Sequence, residues 1–215
     1  MLHEGCVSKR LLTLLRILQK EPVLKDYFLV RGTALAMQIG HRISIAIDLF
    51  TQNELNIPEI SVYLAKTYRN KYQIINSQKM IYQVVIDGIK VDFVHHPFEL
   101  VEPVYHESHI AYLGKNDIAA MKLHAIETSG NRAKDFADIF FLLKEIPLED
   151  MFAYYQKKYS TNNIFNAKRS LGYFEDVPDE SWKEVRLIDE SITQTMIKET
   201  IIKAISNFNG KNLSP

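Results

Sequence analysis

A single cysteine, Cys6, stands among 215 residues, which rules out an intramolecular disulfide and fits a reducing compartment. Nothing adjacent in sequence would activate its thiol, so Cys6 reads as inert. An excess of charge is also missing, because 26 Lys and Arg balance 26 Asp and Glu. No global field draws the chain onto nucleic acid or an anionic membrane, and any such contact has to come from a local patch. No window approaches the roughly 18 apolar residues of a membrane span. The N-terminal apolar run between Arg10 and Arg16 is too short for a signal peptide, and no small-residue cleavage site follows. Internal repeats and low-complexity tracts are lacking as well. These absences predict a soluble, cytoplasmic chain without a membrane partner, long enough to bury a real core.

What is present changes character near the middle. Leu11, Leu14, Leu15 and Leu18 fall at helical spacing in an N-terminal helix. Tyr27 to Val30 is a short apolar run closed by Gly32, which predicts a buried strand. "TALAMQIG" carries good helix formers, with Thr33 as N-cap and Gly40 as the stop. "SIAIDLF" alternates, so Ser44, Ala46 and Asp48 share one strand face while Ile43, Ile45, Ile47 and Leu49 take the other. Pro58 opens a second helix that runs to about Arg69. Asp87-Gly88 is a strong hairpin signal, setting Gln83 opposite Asp92 and putting Asp92 on a face with Lys90 and Val94. Pro97 and Pro103 argue against regular structure in the connection that follows.

From there the chain reads as helical. Asn116 or Asp117 caps "IAAMKLHAIETSG", which Gly130 ends, and "AKDFADIFFLLKEI" carries Phe136, Ile139, Phe140 and Leu143 on its core stripe. "LEDMFAYYQKKY", "NIFNAKRSLGYF" and an amphipathic stretch from about Thr193 to Phe208 follow. The fold class is therefore α+β, a small mixed sheet with flanking helices over 1–110 and a helical region over 111–215.

Several ordered motifs resemble one family. "FLVRGTALAMQIGHRISIAIDLF" is similar to the signature of the AbiEii/AbiGii group of nucleotidyltransferases, toxin components of type IV toxin–antitoxin and abortive-infection systems. Gly32, Thr33, Ala34, Leu35, Ala36, Gly40, His41, Arg42, Ser44, Asp48, Leu49 and Phe50 match its pattern. "VDFV" with Asp92, "DIAAMKLHAI", "KDFADIFFLL" and "AKRSLGYFEDVP" extend the likeness from Tyr27 to about Pro178. The resemblance implies a nucleotidyltransferase core over 1–110, of the DNA polymerase beta-like superfamily, and a C-terminal helical domain over 111–215. It further implies Mg²⁺ and an NTP as cofactor and substrate, RNA (a tRNA end) as acceptor, and a cognate antitoxin encoded nearby.

Moving a nucleotidyl group needs charge neutralised along an in-line displacement, which divalent metal supplies. Mg²⁺ takes hard oxygens, so carboxylates at i and i+2 on one strand face suit it, with a third from the neighbouring strand. A glycine turn lets backbone approach phosphate, and the helix N-terminus that follows adds donors. Here the strand-face positions hold Ala46 and Asp48, the third is Asp92, and the turn is Arg31-Gly32. Metal binding thus falls to Asp48 and Asp92 and the phosphate turn to Gly32 and Thr33, and the resemblance implies nucleotide binding by Gly32, Thr33, Arg42, Ser44 and Lys122. The resemblance adds Lys122 and Asp138 to the catalytic set of Asp48 and Asp92, with Lys122 neutralising phosphate and Asp138 orienting it or acting as base.

Two positions depart from the pattern. Ala46 removes the first metal carboxylate, and Arg31 replaces the first glycine of the turn. One anion is lost and one cation gained, so Arg31 is expected to pair with Asp48 or Asp92 in the metal's stead. Glu54 and Asp87 are poorly placed to substitute. This predicts a nucleotidyltransferase with weakened or lost catalysis; the alternatives are an active toxin of the same type and, further off, a transferase of the antibiotic-modifying kind. Lesser motifs read as ordinary structure: His106 and His109 lack a third ligand, His95-His96 are loop histidines, and Lys134–Asp138 is a surface pair. Lys157-Lys158 with Tyr154, Tyr155 and Tyr159 could face RNA but suits packing better.

Overall fold

Residues 1–208 are described by a computed structural model, so the stretch 209–215 of the predicted helical half lies outside the described residues. The chain divides into two compact units, neither continuous in sequence. The first takes Met1–Ile39, Ser44–Phe98 and Val104–Leu113; the second takes Gly40–Ile43, Glu99–Pro103 and the chain from Gly114 onward.

The first unit holds a seven-stranded mixed sheet: β1 (Phe28–Leu29), β2 (Ala46–Thr51), β3 (Tyr72–Gln78), β4 (Ile81–Ile86), β5 (Ile89–His95), β6 (Tyr105–Glu107) and β7 (Ile110–Tyr112). Their spatial order is β3-β4-β5-β2-β1-β7-β6. The central pair, β2 and β5, is parallel, which puts Asp48 beside Asp92 and Ala46 beside Lys90. The Asp87-Gly88 turn joins β4 to β5 with φ of 51° and 79°, the left-handed pair a tight hairpin requires, and Gln83 lies opposite Asp92 as the sequence predicts. Ile47, Leu49, Val91 and Phe93 are fully buried on one side of these strands. Helices α1 (Lys9–Leu18), α2 (Arg31–Ile39) and α3 (Ile57–Tyr68) complete the unit. Ser8 caps α1 and Asn56 caps α3, each side chain accepting a first-turn backbone N–H. All four predicted leucines of α1 are buried.

Three local expectations change. Helix α2 begins at Arg31, so Thr33 lies inside its first turn; its hydroxyl bonds to Ser44 and Ala46 instead of capping. The alternation before β2 breaks down, because Ile45 precedes the strand and is exposed. The connection after Pro97 contains the β6–β7 hairpin, turned through Ser108 and His109 at positive φ.

The second unit is helical: α4 (Lys115–Thr128), α5 (Ala133–Leu142), α6 (Leu148–Tyr159), α7 (Phe165–Leu171), α8 (Asp179–Lys183) and α9 (Gln194–Asn207). Its core gathers Phe136, Ile139 and Phe140 of α5 with Met151 and Phe152 of α6 and Ile197 and Ile201 of α9. Gly114, not Asn116 or Asp117, is the N-cap residue of α4. Asp117 is instead buried and holds the segment Glu99–Pro103, accepting from the backbone N–H of Val101 and Glu102, each at 3.1 Å. Lys158 answers it at 2.6 Å and donates to the Glu99 carbonyl. A fully buried Lys158 cannot offer charge to RNA, and Tyr155 is buried too. Among the described residues no helix is long and apolar enough to cross a membrane.

Candidate active site

The predicted site residues form two clusters, one in each unit. In the first, strand alternation brings Ala46, Asp48, Lys90 and Asp92 to one sheet face. Asp92 is buried, and its Oδ2 accepts from Gln83 Nε2 and Lys90 Nζ, both at 3.0 Å. Its Oδ1 is buried without a hydrogen-bond donor among the described residues. Asp48 receives Arg31 Nη1 at 3.3 Å, and the same guanidinium lies over the Phe50 ring, 4.8 Å from its centre. Arg31 thus takes the ion pair expected of it. Its backbone has φ 56°, the left-handed region where glycine is preferred. Behind the turn, the Thr33 hydroxyl donates to the Ala46 carbonyl at 2.6 Å and shares a 2.8 Å bond with Ser44, whose own N–H donates to the Cys6 carbonyl. Thr33, Gly32 and Ser44 are all buried, so the turn and the start of β2 are locked together.

The second cluster centres on Asp138, which has no exposure. Arg42 grips it through two nitrogens, Nε at 2.7 Å and Nη2 at 3.0 Å. His41 Nε2 lies at 2.7 Å and Lys122 Nζ at 2.6 Å. Lys122 also donates to Asp135 at 2.6 Å, and Arg132 holds the other Asp135 oxygen at 2.8 Å. Burial alone would raise both carboxyls, but Arg42 and Lys122 hold Asp138 well below the usual range, and Lys122 with Arg132 lowers Asp135. Burial likewise lowers His41, against the pull of Asp138, and its Nδ1 has no hydrogen-bond partner among the described residues. Asp138 is therefore no surface partner of Lys134, which reaches Glu184 instead. Asp135 and Arg132 escaped the sequence reading. The i,i+3 spacing of Arg132, Asp135 and Asp138 on and before α5 was the signal available, since it stacks them on one helix face.

Other candidates separate from both clusters. Glu54 is exposed and pairs with Lys79, while Asp87 sits in its hairpin turn with Arg10. His96 packs between Phe50 and Phe98, and no group of three or more His, Cys, Asp or Glu suited to a metal occurs among the described residues. For a divalent cation, the unengaged Asp92 Oδ1 and the adjacent Asp48 carboxylate are the right donors, so the site fits one through two carboxylates. Arg31 and Lys90 would compete for both, and position 46 contributes none.

A glycine-containing turn entering a helix, beside a strand pair bearing paired acids, with a helical unit alongside in sequence, defines a nucleotidyltransferase fold. The chain belongs to a particular family of that fold: the profile described as "Nucleotidyl transferase AbiEii toxin, Type IV TA system" matches residues 14–200. An uncharacterized protein of Aquifex aeolicus is 29% identical over 178 residues, covering 80% of this chain and 85% of that one. Among solved structures, MenT4, a nucleotidyltransferase toxin of Mycobacterium tuberculosis, superposes with a TM-score of 0.56 at 11% identity, over 91% of this chain and 84% of that one. JHP933 of Helicobacter pylori does so with a TM-score of 0.52 at 16% identity, over 93% and 90%. At such identities the structural likeness speaks for the fold.

Proposed function

We propose that this chain retains the nucleotide-handling scaffold of its family while its transfer of a nucleoside monophosphate from NTP to RNA, a tRNA end by family likeness, is weakened or lost. The carrying observation is the Arg31–Asp48 ion pair beside Ala46: a cation holds one of the two remaining acids where a carboxylate is missing. Asp48 and Asp92 would hold Mg²⁺, which when bound neutralises triphosphate charge. Gly32, Thr33 and Ser44 shape the turn for phosphate. Lys122 serves phosphate binding, and Asp138 serves as its orienting partner; a fully buried carboxylate with four donors is a poor base. In this reading the protein works in the cytoplasm with a cognate antitoxin.

Calorimetric titration of Mg²⁺–NTP tests it. The native protein should bind at least tenfold more weakly than the Ala46→Asp/Arg31→Gly variant, since losing a direct ligand costs more than the ~10–100-fold of an outer-shell change. Tight binding and RNA labelling by the native chain would remove the weakened reading. The buried, donor-free Asp92 Oδ1 favours the second reading, an active toxin, and that result would establish it. If the double variant neither binds nor labels, the site assignment is wrong.

A further inference from the structure

We infer that the first unit carries a separate site for the phosphate backbone of a polynucleotide strand, in a cleft around the β4–β5 turn. Three adjoining cavities of about 300, 420 and 290 Å³ meet there, all touching Asp87. One end is apolar, lined by Leu14, Ile17 and Ile89 with the Tyr68 ring. Along its length the cleft is rimmed by four exposed cations, Lys9 and Arg10 at the apolar end and Arg69 and Lys71 beyond it, with Asp87 the one acid among its lining residues. Ile89 lies on the sheet face opposite Asp92, so the apolar end is turned away from the acidic site, whereas Val85 at the far end shares the Asp92 face near the hairpin turn.

The placement of these charges favours an anion. Lys9 and Arg10 occupy the first turn of α1, which has no acid, so both sit at the positive end of the helix dipole. Arg69 projects from a left-handed residue, φ 44°. Asp87 engages Arg10 at 2.6 Å and reaches Lys71 only at 3.9 Å, leaving most of the positive charge uncompensated. In a chain of zero net charge this is a local patch able to hold nucleic acid. Cations spaced along adjoining cavities suit successive phosphates, and the apolar end with Tyr68 suits a base.

Fluorescence anisotropy with short labelled single-stranded RNA and DNA of one sequence tests this on the full chain. Lys9→Gln/Lys71→Gln should weaken binding about tenfold and reduce the salt slope by about 1.4, at 0.7 per lost phosphate contact. Asp87→Asn frees Arg10 yet suits a left-handed turn position, so it should tighten binding, a gain that misfolding cannot mimic. RNA bound in preference to DNA, or the reverse, identifies the source of the phosphates. An unchanged slope in the double variant, no gain from Asp87→Asn, or polyglutamate binding tighter than either strand would overturn the site. Mg²⁺–NTP titration of the same variants keeps the two readings apart: weakened strand binding with nucleotide binding unchanged is the result expected of a separate cleft, parallel loss of both would overturn it, and the proposed function is decided by the native and Ala46→Asp/Arg31→Gly titrations alone.

Discussion

Arg31 reaches the Asp48 carboxylate at 3.3 Å from a backbone held at φ 56°. The family pattern has glycine at that position, and the geometry gives the reason: the turn demands a left-handed residue whatever its side chain. Arginine keeps the turn, accepts its strain, and offsets part of it through the carboxylate and the Phe50 ring.

Glycine and alanine at position 31 should therefore part company. The left-handed conformation costs a non-glycine residue roughly 1–2 kcal/mol, whereas a half-exposed ion pair returns about 1 kcal/mol at most. Arg31→Gly loses the pair but sheds the strain, and should unfold in urea within about 0.5 kcal/mol of the native chain. Arg31→Ala loses the pair and keeps the strain, so it should fall about 1 kcal/mol below the glycine variant. Equal midpoints for the two would show that the turn carries no such strain.

Thr33 fastens the start of α2 to the start of β2 through buried hydrogen bonds. Thr33→Val keeps the shape and strands the Ala46 carbonyl and Ser44 hydroxyl, at a cost of about 1–3 kcal/mol. Thr33→Ser should recover most of that loss in the same denaturation experiment.

Removing the Lys122 ammonium leaves Asp135 and Asp138 buried with fewer cations, so Lys122→Met should cost about 3–5 kcal/mol. The pH dependence has two stages. His41 is lowered in the fold, so its contribution is present above the unfolded value of about 6.5 and is lost as pH falls through the lower folded one. Asp135 and Asp138 are also lowered, so theirs is present above about 3.9 and goes as acid protonates them. Stability should be flat from about pH 7 to 9, decline first below about 6.5, and decline again below about 4. His41→Gln should diminish the first decline, leaving the share of His124, which burial also lowers. An identical profile in that variant would contradict the assignment to His41.

Lys158 and Asp117 form a pair with no solvent exposure on either side chain. Lys158→Met should cost about 3–5 kcal/mol and speed proteolysis within 99–103, whose backbone both side chains hold. Asp117→Asn/Lys158→Met should cost less than the two single changes added, because the pair acts as one unit.

Local chemistry was legible where a short stretch decides the outcome. Asp87-Gly88 announced its hairpin, and the register from that turn put Gln83 against Asp92. The lost carboxylate at Ala46 and the gained cation at Arg31 foretold a pair with Asp48 or Asp92, and the structure has it with Asp48. Harder to read were contacts set by distant residues. Lys134–Asp138 has ideal helical spacing, yet Arg42, separated from Asp138 by 96 positions, claims the carboxylate. Pro97 and Pro103 do interrupt the chain, but they lie before β6 and β7 rather than within them, so their veto was local. Helix α2 starts early because the Ala34 N–H already bonds back to the Val30 carbonyl, a contact that reading Thr33 as the cap does not suggest.

The tetrapeptide Gly40–Ile43 belongs to the helical unit although α2 and β2 on either side of it belong to the sheet. On the ribosome, His41 and Arg42 are made long before Asp138, so their buried contacts with it form only once α5 is synthesised. The helical unit for its part cannot be closed from its own C-terminal stretch alone. A nascent chain stalled before Asp138 would thus hold Gly40–Ile43 without the carboxylate that His41 and Arg42 close on, which ties completion of the helical unit to translation of nearly two thirds of the 215 residues.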